Sequence, residues 1–314
     1  MDHFHQKHIL DMASLSKQEI DYIINTAITL KDISNRPIKK VPTLRGKSIV
    51  HFFHEPSTRT RTSFEIAAKR MSADTFSISA STSSMTKGET LLDTVNTLQA
   101  MNPDIIVMRH SASGAPHFVS RKLLNASVIN AGDGMHAHPT QCLLDMMTVR
   151  EALGKIKDLK LSIIGDIFHS RVARSNIIGF TKMGAKVTVA APCTMIPNGV
   201  DKLGAQVAKS LEDAVSNADI IMALRIQKER QSNFFFPSER EYASFYGLSY
   251  ERLKSMNKNA YIMHPGPINR GVELSSDVAD CPESLIMKQV TNGVAIRMAL
   301  LYLLMGGTRN AHSN

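Results

Sequence analysis

Between Lys47 and Met71 the hydrophobic pattern changes from that of a strand to that of a helix, and this switch restricts the folds open to the chain. Lys47-Ser-Ile-Val-His-Phe-Phe-His54 is β-branched and aromatic, as a buried strand is. Glu55-Pro56 ends it, because proline cannot supply a ladder donor. Phe64, Ala67, Ala68 and Met71 then recur at i, i+3, i+4 and i+7, one face of a helix. The join is Ser57-Thr58-Arg59-Thr60-Arg61. The first amides of a helix lack intrahelical partners and carry the positive end of its dipole. Three hydroxyls and two guanidinium forks add donors there, which makes a socket for a tetrahedral oxyanion, most simply a phosphate. The competing reading is an ordinary Ser/Thr cap followed by two solvated arginines.

The same strand-to-helix alternation continues along the chain without a fixed repeat. Strands are expected at 75–79, 104–108, 127–130, 160–165, 186–191, 218–224 and 260–263. Helices are expected at 18–32, 89–101, 139–149, from about 172, and at 290–305. This predicts an α/β fold of two domains, each a parallel sheet flanked by helices, joined by interdomain helices. The expected domains are 1–149 with the C-terminal helix 290–314, and 150–289. The last helix is apolar on most faces and is expected to be buried, back against the first half.

Lys and Arg number 37 against 28 acidic residues, a formal net charge of +9. No basic run is interleaved with aromatics, which make up 6% of the chain, so nucleic acid fits poorly and small anionic metabolites fit better. Cys142, Cys193 and Cys281 form no Cys-x-x-Cys pair, so neither a disulfide framework nor a zinc site is expected. Residues 1–8, with His3, His5 and His8, read as a loose solvated tail without a signal-peptide core. The longest greasy stretch, around 298–305, is too short to span a bilayer. A protein of a reducing compartment, the cytoplasm, is expected.

Ligands in open α/β sheets bind beyond the carboxyl ends of the strands. The positions just past the expected strands hold Ser57 to Arg61, Ser83 with Lys87, Arg109, His138, Arg171, Arg225, and His264 to Pro267. Arg109 is either a strand-ending surface arginine or a site residue. His138 is open to three readings: a core histidine, a metal ligand with His136, or a donor to a carbonyl. The His-x-His pair is weak evidence for a metal. A histidine just before a helix start suits a carbonyl, since the dipole favours its neutral form. Gln141, one turn on, can hold an amino group through its amide oxygen. Gly165 to Arg174 lacks Gly-x-Gly-x-x-Gly, so no dinucleotide is expected there. Arg171 is expected to face out as its helix begins. With Arg225 it forms a natural clamp for two carboxylates, with Gln227 alongside. Ser83 and Lys87 lie on a run of small polar residues that reads, by itself, as a solvated loop.

His54-Glu-Pro-Ser-Thr-Arg-Thr-Arg-Thr-Ser-Phe-Glu65 resembles the carbamoyl-phosphate signature of the aspartate and ornithine carbamoyltransferase family. Met85-Thr-Lys-Gly-Glu89, His138-Pro-Thr-Gln141, Arg225-Ile-Gln-Lys-Glu-Arg230 and His264-Pro-Gly-Pro267 resemble its aspartate branch, in family order. Ornithine enzymes carry Asp-x-x-x-Ser-Met-Gly and His-Cys-Leu-Pro instead, and a cationic acceptor would be repelled by Arg225. The resemblance implies carbamoyl transfer from carbamoyl phosphate to L-aspartate, toward pyrimidines, by direct amine attack without a covalent intermediate. Another amino acceptor is the alternative. Catalytic roles would fall to Arg59, Thr60, Lys87, Arg109 and His138. Carbamoyl phosphate would be bound by Ser57, Thr58, Arg59, Thr60, Ser83, Lys87, Arg109, His138 and Gln141. Aspartate would be bound by Lys87, Arg171, Arg225, Gln227, Gly266 and Pro267. No metal or organic cofactor is implied. A homotrimer is, with Lys87 reaching a neighbouring subunit's site; a regulatory chain or a dihydroorotase-like partner is left open.

Overall fold

The computed structural model describes residues 4–79, 88–227, 238–257 and 259–306. The chain forms two compact units and changes from one to the other between Met147 and Thr148, returning between Val290 and Thr291.

The first unit runs α1 (Lys17–Lys31), β1 (Ser48–Phe53), α2 (Thr58–Arg70), β2 (Asp74–Ser79), α3 (Leu91–Ala100), β3 (Ile105–His110), α4 (Ala115–Ser120) and β4 (Ser127–Asp133), and enters α5 (Pro139–Leu153). Its strands pair in the order β2-β1-β3-β4, all parallel. β1 is central and buried on both faces, which is why its sequence is nearly continuous in apolar residues. Val50, Phe52, Ile106, Met108 and Val128 pack one face against Val95 and Leu98 of α3 and Val119 of α4. A capping box, Ser16 with Glu19, starts α1.

The second unit holds β5 (Lys160–Ile164), α6 (Arg171–Lys182), β6 (Lys186–Ala190), β7 (Ala205–Val207), α7 (Leu211–Val215), β8 (Ile220–Ala223), α8 (Glu239–Tyr246), α9 (Tyr250–Met256), β9 (Tyr261–Met263) and α10 (Ser276–Ala279). Its parallel order is β7-β6-β5-β8-β9. The last helix, α11 (Ile286–Leu304), crosses back into the first unit and is buried throughout from Ala295 to Leu301, as its apolar composition requires. The two-unit parallel α/β architecture is the one expected. The elements that escaped the sequence, α4, β7 and α7–α10, are three to eight residues long and carry too little periodicity to register.

The loose tail is corrected from Gln6 onward. Ile9 N donates to Val128 O at 2.8 Å, Val128 N donates to His8 Nδ1 at 3.0 Å, and Lys7 Nζ donates to Leu124 O at 2.7 Å. β4 ends the sheet, and its unpaired backbone groups recruit this segment.

His51 on β1 is 0% exposed, and neither ring nitrogen has a hydrogen-bond partner. Burial pushes its pKa down to about 4; Glu65 opposes the shift, while Arg61 and Lys69 add to it. The unfolded chain therefore binds this proton first, so the stabilisation holds above the ordinary histidine pKa and is lost as pH falls toward 4. Between pH 7 and pH 4.5 the wild type is expected to lose roughly 2–3 kcal/mol more than His51→Leu in urea titrations. Equal losses in the two proteins would contradict this.

Candidate functional site

Because every strand of the first sheet is parallel, all carboxyl ends lie along one edge. β1 delivers Ser57 to Arg61 there, β3 delivers Arg109, and β4 leads through Asp133 to His138. β1 and β3 are neighbours with Phe53 opposite Arg109, and His54 N donates to Arg109 O at 2.9 Å. The start of α2 and Arg109 thus follow adjacent strands in register.

Ser57 is the N-cap residue of α2, yet its side chain makes no capping hydrogen bond. Ser16, Thr90, Ser170, Ser210, Ser238 and Ser249 all cap their own helices through their hydroxyls. At α2, as at Ser275 before α10, the first-turn amides receive nothing from the N-cap hydroxyl, which leaves those of α2 open to another acceptor. Thr58 and Arg59 are exposed, Ser57 is half-buried and Thr60 is buried. Arg61 turns instead toward Glu65, with Nε 3.8 Å from Oε1.

Arg109 is half-buried and held on both arms: Nη2 lies 2.5 Å from Glu55 Oε1, and Nη1 donates to Ala131 O at 3.3 Å. Its guanidinium is therefore fixed in orientation and already shared with Glu55. His138 is buried just before α5, with Thr140 Oγ1 at 3.5 Å from Nδ1. Gln141 donates its amide N–H to Asp145 Oδ1 at 2.9 Å. A carboxylate only accepts, so this contact sets which end of the amide faces Asp145 and keeps Oε1 as an acceptor. Against α2, Arg297 donates to Ser63 Oγ at 2.9 Å and lies 5.0 Å over the Phe64 ring. Burial lowers its pKa to about 10, with Asp145 opposing and Arg109 adding to the fall, so it stays charged at neutral pH.

In the second unit β5, β8 and β9 are also parallel neighbours, and their ends bring together a second polar group. Arg171 opens α6 at the end of β5. It is 3% exposed rather than facing out, because His169, Ser170 and Arg171 form a buried turn at the strand ends. Asp166 anchors that turn, accepting from His169 N at 3.1 Å and from Gln227 N at 3.2 Å. Arg225 Nη2 contacts Gln227 Oε1 at 3.5 Å. After β9, His264 Nδ1 accepts from Gly266 N at 2.8 Å, and Gln289 Oε1 accepts from His264 N at 3.0 Å. Gly266 has φ +65°, the left-handed region glycine takes without strain, which lets the turn carry Pro267. This edge carries Arg225 and Gln227 together, with Arg171 buried in the neighbouring turn, and two guanidiniums are the groups that suit a small dicarboxylate.

Ser83 and Lys87 lie outside the described residues. Sequence reasoning missed Glu55, Asp133, Asp145, Asp166 and Arg297. Their one signal was a charged residue inside an apolar or turn-forming run.

Two family models match the chain: "Aspartate/ornithine carbamoyltransferase, carbamoyl-P binding domain" over residues 7–151, and "Aspartate/ornithine carbamoyltransferase, Asp/Orn binding domain" over 157–304. The aspartate carbamoyltransferase catalytic subunit of Desulforapulum autotrophicum is 63% identical over 308 residues, covering 98% of each chain. Among solved structures, ornithine carbamoyltransferase from Pyrococcus furiosus superposes with a TM-score of 0.86 at 29% identity, covering 96% of this chain and 98% of that one. Aspartate transcarbamoylase from Trypanosoma cruzi, in complex with carbamoyl phosphate and aspartate, has a TM-score of 0.84 at 26% identity, covering 94% of each.

Proposed function

The chain belongs to the aspartate/ornithine carbamoyltransferase family, and we propose how its own residues carry the reaction. The enzyme transfers the carbamoyl group of carbamoyl phosphate to L-aspartate, giving N-carbamoyl-L-aspartate and phosphate. The product feeds de novo pyrimidine biosynthesis. The observation that carries the proposal is the uncapped start of α2 beside the pre-aimed Arg109.

The aspartate amine attacks the carbamoyl carbon directly. A C–N bond forms, the C–O bond to phosphate breaks, and the amine proton leaves with the phosphate. Negative charge develops on the carbonyl oxygen, where Thr60, Arg109 and His138 donate. Ser57, Thr58, Arg59, Ser83 and Lys87 hold the phosphate, helped by the first amides of α2. Gln141 Oε1 accepts from the carbamoyl amino group. Arg171, Arg225 and Lys87 bind the aspartate carboxylates, with Gln227, Gly266 and Pro267 bounding the acceptor. Orientation of this kind supplies roughly 7–11 kcal/mol of the barrier reduction. The two guanidiniums favour aspartate over a cationic acceptor.

No helix among the described residues is long and apolar enough to cross a membrane. The assembly we place this reaction in is a cytoplasmic homotrimer, with Ser83 and Lys87 completing a neighbouring subunit's site. Arg59→Ala and Lys87→Ala chains are each expected to form almost no carbamoyl-aspartate alone. Mixed and reassembled, they are expected to regain turnover, because one hybrid site keeps both residues. Activity in Arg59→Ala alone would refute the phosphate socket. Failure of the mixture to recover would refute shared sites.

A further inference from the structure

The loop from β4 to α5 is organised by one carboxylate. Asp133 is 0% exposed; its Oδ1 accepts from Asn130 Nδ2 at 2.8 Å and Ala137 N at 3.0 Å, and its Oδ2 from Gly114 N at 2.6 Å. A carboxylate offers about four acceptor positions, so one remains on Oδ2. His136 Nδ1 stands 3.0 Å from that oxygen. From α4, His117 meets the His136 ring edge to face, centroids 5.3 Å apart. One ring nitrogen of each histidine and one Asp133 oxygen lie within 4.8 Å of one another.

His117 Nε2 is 2.8 Å from Asp11 Oδ2, and an ionised carboxylate only accepts, so Nε2 is the donor in that contact and Nδ1 is the nitrogen left for a ligand. That Nδ1 is buried and has no hydrogen-bond partner. A carboxylate behind a histidine whose other nitrogen is unpaired is the outer arrangement that supports metal-bound histidines.

We propose that His117, His136 and Asp133 bind one divalent transition-metal ion of the zinc, cobalt or nickel class, with Asp11 as a positioning residue. Two ligand atoms each about 2.0–2.1 Å from one tetrahedral ion lie about 3.3–3.4 Å apart, so His136 and Asp133 at 3.0 Å need part by only a few tenths of an ångström, and the three ligand atoms, now within 4.8 Å of one another, settle to that spacing as the ion binds. Two imidazoles select such ions over magnesium and calcium, which take oxygen ligands. Asp11 and Asp133 together balance the ion's charge. The ion takes no part in the transfer reaction; it clamps α4 to the loop that delivers His138. It replaces the proton between His136 and Asp133, so binding tightens as pH rises. The sequence had offered His136 with His138; the fold pairs it instead with Asp133 and His117.

Cobalt(II) is the probe, added to the full-length, chelator-treated protein. One equivalent per chain is expected, with visible bands of nitrogen and oxygen ligation, no thiolate charge transfer, and a raised melting temperature. His117→Ala/His136→Ala loses that equivalent, and Asp11→Asn weakens it roughly 10-fold or more. His136 is partly exposed, so His136→Ala alone keeps the fold and is expected to lose the same bands. Equal cobalt binding by wild type and His136→Ala, or no stoichiometric binding by the wild type, would overturn the site.

Discussion

Arg109→Ala is expected to lower kcat about 10²–10³-fold, equivalent to about 3–4 kcal/mol of transition-state stabilisation. The size follows from preorganisation. Glu55 and the Ala131 carbonyl hold the guanidinium in place before any substrate arrives, so it need not reorganise when charge develops. The fold should survive, because Glu55 is partly exposed and water can solvate it when its partner is gone. Arg109→Lys keeps the charge but not the fork, and should recover only part of the loss. Steady-state kinetics at saturating substrates, alongside circular dichroism, decide the matter. A kcat within a few-fold of wild type would remove Arg109 from the reaction.

Asp133→Ala is expected to cost about 3–5 kcal/mol of stability, because it strands the buried Ala137 amide and Asn130 carboxamide and the half-buried Gly114 amide. Burial alone would raise the Asp133 pKa, but hydrogen bonds from His136, Asn130 and Gly114 together hold it below the ordinary carboxylate value. The folded-state pKa is depressed, so this stabilisation is present above the unfolded value and fades as pH falls below it. Urea titrations at neutral and acid pH should show wild type and variant converging on the acid side. Parallel curves would mean that the carboxylate is not the organiser of the loop. Because the same loop delivers His138, turnover should fall with stability.

Much of the candidate site was legible because backbone topology dictates it. A strand broken by Glu55-Pro56 and succeeded by a helix must present Ser57 to Arg61 at a sheet edge, whichever side chains pack beneath. Arg109 and Arg225 could be found in the same way, as cations at or just beyond an apolar strand's end. Arg171 was found but misplaced: its position at a helix start was readable, whereas its burial depends on a turn anchored by Asp166. Asp145 and Arg297 left only the mark of a charge within an apolar helix, which gives no hint of a partner distant in the chain.

The sequence by itself determined the alternation of strands and helices, the two-unit parallel architecture, and the anion-seeking residues at strand ends. These come from local periodicity and from the chemistry of short contiguous motifs. Only the tertiary structure decided that Ser57 leaves its helix uncapped, that Glu55 and Ala131 aim Arg109, and that Asp11, His117, Asp133 and His136 meet. Those outcomes depend on hydrogen bonds between residues far apart in the chain, and a linear pattern does not encode which distant donor will find which acceptor.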